Sequence, residues 1–223
     1  MVVVSKATAI VLATLGLLTS ACASTGSVPK SSFMATGDVA DAPSGFTSMC
    51  TREPQDCAPV GPVEDQAPVR LTQQRWALVQ HVNRDANTRI RPLSDELNYG
   101  VPERWVDPLA GHLQDSRYTA AGDCEDFALA KRDLLLAAGW PAGAMFVAVG
   151  YHMTLGPHAV LVVRTDRGDL VLDSRTPWIS AWTDTPYYWV KRQVAADSTT
   201  WVQAYAPPRG LMSASLQTAA PNS

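Results

Sequence analysis

The sequence predicts an α+β fold, with helices first and a meandering antiparallel sheet after them, and three observations carry this. Apolar residues Trp76, Val79, Val82, Ala86 and Ile90 recur at three- and four-residue steps, the period of a helix with one buried face. A second helical stretch opens at Asp123 and is closed by Gly139 and Pro141. Beyond Pro141 the period changes to two, in short Val- and Leu-rich runs divided by turn residues.

The first 23 residues read as a signal peptide rather than as fold. Lys6 precedes an apolar run from Ala7 to Leu18, and Ala21-Cys22-Ala23 fits a small-residue cleavage site. The run falls short of the roughly 20 residues that a membrane span requires. A second reading makes Cys22 the lipid-carrying residue of a lipoprotein leader, although Thr19 stands where such leaders usually carry Leu. Either way the chain is exported, to the periplasm or beyond. Residues 24–36 read as a flexible lead-in, 37–208 as one domain and 209–223 as a disordered tail.

From Gly37 to Arg70 the density of Pro, Gly and Asp predicts loops, with or without short edge strands. Thr72 is the expected N-cap of the first long helix, which Arg91-Pro92 stops. Gly100, Pro102 and Pro108 break regularity in the stretch that follows. Asp123 and Asp126 have the spacing of a capping box for the second helix, over Asp123 to Ala138. "AMFVAVGY", "HAVLVVRT" and "DLVLDS" are the expected strands, the last two joined through "TDRG"; "YYWVKRQV" and "WVQAY" could add edge strands.

A net charge of −3 gives no basic field, so nucleic acid is excluded as a natural partner. Without Cys22, the cysteines are Cys50, Cys57 and Cys124. Cys50 and Cys57 lie in one short polar loop, and an oxidising compartment favours their pairing. Cys124 is left as an unpaired thiol at a helix N-terminus, where the macrodipole lowers a thiol pKa. It stands among Asp123, Glu125 and Asp126, whose charges would repel a thiolate. The plainer reading of this stretch is a capped helix carrying a buried, inert cysteine. On an ideal helix Cys124 shares its face with Phe127, Ala128, Lys131, Leu134 and Leu135.

A nucleophilic thiol needs a base and an orienting acid. His81 and His112 suit structural or exposed positions, whereas His158 opens a strand and Asp173 closes its partner. With Asp166-Arg167 at the centre of the turn, His158 faces Arg175 and Asp173 is a diagonal neighbour at roughly 7–8 Å. A turn centred on Arg167-Gly168 separates them by two further residues.

"GDCEDFALAKRDLLLAAGW" and "HAVLVVRTDRGDLVLD" resemble the bacterial transglutaminase-like cysteine peptidases. So do "APSGFTSMCTREPQDC", "RWALVQHVNRDANTRIRPLSDELNYGVPERW" and the late "YYWVKRQ" with "WV", which extend the resemblance over roughly Gly37 to Gln203. The resemblance implies a papain-like core and a catalytic Cys124-His158-Asp173 order. It implies calcium at Asp123 and Glu125, and an oxyanion bound by the Cys124 backbone N–H or, more weakly, by the Trp105 indole. Ser174 follows Asp173 where the family often has Asn. The best understood members are periplasmic proteases that release biofilm adhesins and are restrained by an inner-membrane receptor sensing cyclic di-GMP. The expectation is therefore an exported cysteine peptidase acting on a surface or periplasmic protein. The alternatives are acyl transfer to amines and a calcium-dependent binding module with an inactive triad.

Overall fold

A computed structural model describes residues 33–57, 67–195 and 197–205. The leader, most of the lead-in and the tail expected over 209–223 lie outside the described residues. Among those described, seven strands form one sheet whose pairings are all antiparallel. In chain order these are β1 (Ala35–Ala40), β4 (Met145–His152), β5 (Gly156–Thr165), β6 (Gly168–Leu172), β7 (Ser180–Ala181), β8 (Tyr188–Val194) and β9 (Asp197–Tyr205). Two further strands, β2 (Ile90–Pro92) and β3 (Ala120–Gly122), pair in parallel outside it.

The main sheet is ordered β1-β9-β8-β4-β5-β6-β7. Strands β8 and β9 are thus interior, where edge strands were expected. The chain leaves the meander at β7 and crosses back to pair with the free side of β4, a long-range choice that local pattern does not encode. The last residues of the expected lead-in are part of the sheet. Met34 is buried, and Ala35 and Thr36 pair with Tyr205 and Ala204.

Helix α2 (Gln73–Arg89) starts at Thr72, whose side chain accepts from Arg75 N at 3.3 Å, and buries Val79, Val82 and Ala86. Helix α4 (Cys124–Ala137) packs on β5, and α2 packs on α4. A short helix, α3 (Asp95–Tyr99), lies between. The stretch read as loops holds another, α1 (Ser44–Arg52), which buries Phe46 and Met49 one turn apart. Cys50 in α1 is bonded to Cys57 at the end of the following 3-10 turn, Pro54–Cys57, as expected of the pair.

The β4, β5 and β6 side chains alternate between two cores. Val147, Leu161, Val163, Leu170 and Leu172 meet the helices. Phe146, Val160, Val162 and Val171 meet Met34, Trp182, Tyr187 and Trp189 on the far face. Burial on both faces explains why these strands read as nearly unbroken apolar runs. Thr165 pairs with Gly168, so Asp166 and Arg167 are the central turn residues, the register that makes Asp173 diagonal to His158.

Candidate active site

Helix α4 presents Cys124 as its first residue, half-buried. The capping box does not form, because no helix N–H reaches the Asp123 side chain. Asp123 instead accepts from Asp95 N at 3.3 Å, and Asp126 accepts from Val106 N at 2.9 Å. Gly122 makes room for this arrangement: a Cβ there would stand 2.5 Å from Asp126 Oδ2.

The Cys124 thiol donates to Glu125 Oε2 at 3.2 Å. Burial, followed by the Glu125 charge, pushes its pKa up, while the Ala159 N–H bonded to the sulfur pulls the other way. The sulfur thus lies against the backbone next to His158. Among the described residues no hydrogen bond joins Cys124 to His158 itself.

His158 and Asp173 are together. His158 Nε2 lies 2.7 Å from Asp173 Oδ1, and both side chains are buried. Burial works against the Asp173 charge, but hydrogen bonds from His158 and Tyr187 outweigh it and hold the carboxyl at about 2. An ionised carboxylate only accepts, so in the neutral imidazole the proton sits on Nε2 and the lone pair on Nδ1. Nδ1 is buried without a hydrogen-bond partner, which makes it the atom free to act as a base.

Trp105 is not available to an oxyanion. Its indole N–H donates to Glu103 Oε1 at 2.9 Å, and its ring packs edge-on against Phe46 and Trp201. The Cys124 N–H remains the candidate donor, at a helix start where N–H groups lack intrahelical acceptors. Of the other histidines, His112 stacks on Tyr118 at 3.7 Å, and His152 accepts from Thr154 N.

Beside the thiol, Asp95, Asp123 and Glu125 each bring one oxygen to within 4.8 Å of the others. Asp95 was not anticipated. The parallel pairing of Pro92 with Gly122 carries the start of α3 alongside the start of α4, and no local signal in the sequence reveals it. Asp95 is buried, and Asp95 Oδ1 and Asp123 Oδ1 have no hydrogen-bond partner. Burial, reinforced by the Asp123 carboxylate, raises the Glu125 pKa to about 9. Burial together with the Asp123 and Asp95 charges raises Asp126 to about 8. Orphaned, mutually repelling carboxylate oxygens are what a hard divalent cation requires, so the cluster can hold one.

Two further side chains and one backbone N–H complete the surroundings. Tyr187 donates to Asp173 Oδ2 at 2.5 Å. Arg175 N donates to Asp173 Oδ1 at 2.9 Å. Lys131, wholly buried, reaches the Leu172 carbonyl at 3.5 Å. Lys131 could have been found from sequence, as the one charge on the apolar face shared with Cys124; Tyr187 could not.

The fold is similar to Legionella pneumophila LapG in a calcium-bound structure, with 23% identity over 61% of this chain and 73% of that one and a TM-score of 0.48. An EGTA-treated structure of the same protein matches with 25% identity over 52% of this chain and 62% of that one, at a TM-score of 0.43. No curated protein matches the sequence significantly. Residues 36–207 match the sequence model of the bacterial transglutaminase-like cysteine proteinases, BTLCP, and this chain belongs to that family.

Proposed function

We propose that the protein is an exported cysteine peptidase in which Cys124 is the nucleophile, His158 the base and Asp173 the group that orients it. The observation that carries the reading is the 2.7 Å His158–Asp173 contact, which leaves a buried, unpartnered Nδ1 one residue from the backbone that touches the thiol. His158 Nδ1 takes the Sγ proton and the thiolate attacks a peptide carbonyl, with the oxyanion forming near the Cys124 N–H. The imidazolium then protonates the leaving amine. Water, deprotonated by the same nitrogen, hydrolyses the thioester and frees the acid.

Calcium fits Asp95, Asp123 and Glu125, which supply hard oxygen donors, two of them with unpartnered buried oxygens. When bound there it supplies positive charge that offsets the acids around Cys124. The leader and the family resemblance support a periplasmic or surface substrate, such as a biofilm adhesin, and an inner-membrane receptor as regulator. No helix among the described residues is long and apolar enough to cross a membrane.

One observation favours a second reading. A thiol bonded to Glu125 with a raised pKa suits a calcium-dependent binding module whose cysteine is inert. Labelling the mature protein with iodoacetamide from pH 5 to 9, with calcium and with chelator, separates the two. The peptidase reading expects rapid alkylation of Cys124 below pH 7 that needs both calcium and His158. Slow alkylation indifferent to His158→Ala and to chelator would overturn the peptidase mechanism and favour the binding module, whose own signature is calcium-stabilised folding with an inert thiol.

A further inference from the structure

The Asp173 carboxylate is bound on two sides. Oδ1 accepts from His158 Nε2 at 2.7 Å and from Arg175 N at 2.9 Å, while Oδ2 accepts from Tyr187 OH at 2.5 Å. The last torsion of an aspartate is a broad, nearly two-fold rotor, so rotamer preference does not set the plane of this carboxylate. Its hydrogen bonds must do so, and Tyr187 is the described donor on the second oxygen.

Tyr187 is itself well anchored. Its ring centroid lies 5.3 Å from the His158 imidazole with the planes tilted by 30°. It also packs edge-on against Trp189 at 5.6 Å and His152 at 6.0 Å. Gly150 in β4 admits it, since a Cβ there would meet Tyr187 Cβ at 2.9 Å. The hydroxyl therefore reaches a buried carboxylate from a ring that has little freedom to move.

We infer that Tyr187 is a positioning residue: its hydroxyl, on Asp173 Oδ2, sets the carboxylate plane, and through it keeps the His158 proton on Nε2 and the lone pair on Nδ1. The inference rests on the catalytic reading of Cys124, His158 and Asp173. A tyrosine that only filled space would exchange for phenylalanine without consequence for the imidazole. A tyrosine that acts through Asp173 would not.

The test compares Tyr187→Phe, Asp173→Asn, the double variant and His158→Ala in the full mature chain with calcium. Two quantities are read: the rate of Cys124 alkylation by iodoacetamide near pH 7, and the low-field proton resonance of His158 Nε2–H, assigned by its absence from His158→Ala. Tyr187→Phe is expected to slow alkylation about tenfold, the scale of one hydrogen bond to a charged group. It should also displace the low-field resonance or lose it to solvent exchange. In the Asp173→Asn background the same substitution should cost nothing more. An unchanged resonance and rate in Tyr187→Phe, or losses that multiply in the double variant, would overturn the inference. If His158→Ala and Asp173→Asn both label at the wild-type rate, the catalytic reading itself falls and takes this inference with it.

Discussion

Asp95 stands 28 residues before Asp123, yet its backbone N–H bonds to the Asp123 carboxylate and its own Oδ1 is buried without a partner. If it ligates calcium, Asp95→Asn should shrink the rise in melting temperature that saturating calcium produces, as should Asp123→Asn; a ligand that binds only the folded state stabilises it in proportion to ln(1 + [L]/Kd). An unchanged calcium-dependent rise, followed by calorimetry, would remove Asp95 from the site. Trp105 carries the opposite expectation. Its N–H is satisfied by Glu103, so Trp105→Phe should lower stability modestly and leave Cys124 alkylation as it was. At this scale the sequence reveals groups whose chemistry or spacing is local: an odd thiol, a histidine opening a strand, an acid closing the next. Asp95 and Tyr187 are joined to those groups only by tertiary contacts, so nothing near them in the chain marks them.

Helix α4 carries both Cys124 and Lys131, two turns apart on one face. Burial drives the Lys131 pKa from 10.5 down to about 7, with the Asp173 charge pulling the other way. Between about pH 7 and 10.5 the unfolded chain therefore holds a proton that the folded chain has released, and stability gains about 1.4 kcal/mol per pH unit from this group. Below pH 7 the full cost of burying the ammonium is present. Lys131→Met should thus be more stable than wild type at pH 6 in urea unfolding, with the gap closing as pH rises to 9.5. A gap independent of pH would show that Lys131 does not titrate in that range. The legibility of the elements follows the same logic of local against distant cause. Helix α2 is bounded by its Thr72 cap and its Arg91-Pro92 stop, and α4 is stopped by Gly139 and Pro141, so both could be read. Helix α1 contains Gly45, Thr47, Ser48 and Thr51, all poor helix formers, and is held by Phe46, Met49 and the bond to Cys57. Its cause is packing, which composition hides.

The start of the described chain is fastened across the whole sheet. Met34 N donates to Asp169 Oδ2 at 2.8 Å, and Arg164 holds the same carboxylate with two bonds of 3.0 and 3.1 Å. Arg164 and Arg192 both lie over the Phe146 ring, Arg192 at 4.5 Å. Asp169 is wholly buried and Arg164 half-buried, so Asp169→Ala strands the Arg164 guanidinium and the Met34 N–H and should cost about 3 kcal/mol in urea unfolding. Alkylation of Cys124 under native conditions should be untouched, because this clamp lies at the end of β5 away from His158.

Ala35 faces Tyr205 where β1 pairs with β9, so the first and last strands meet at one margin of the molecule. Met34, next to that pairing, reaches Asp169 and through it Arg164 of β5, which lies six residues, about 20 Å along the strand, from His158. A tether drawn from either end, whether a lipid, a bead or a fused protein, would grip the same corner.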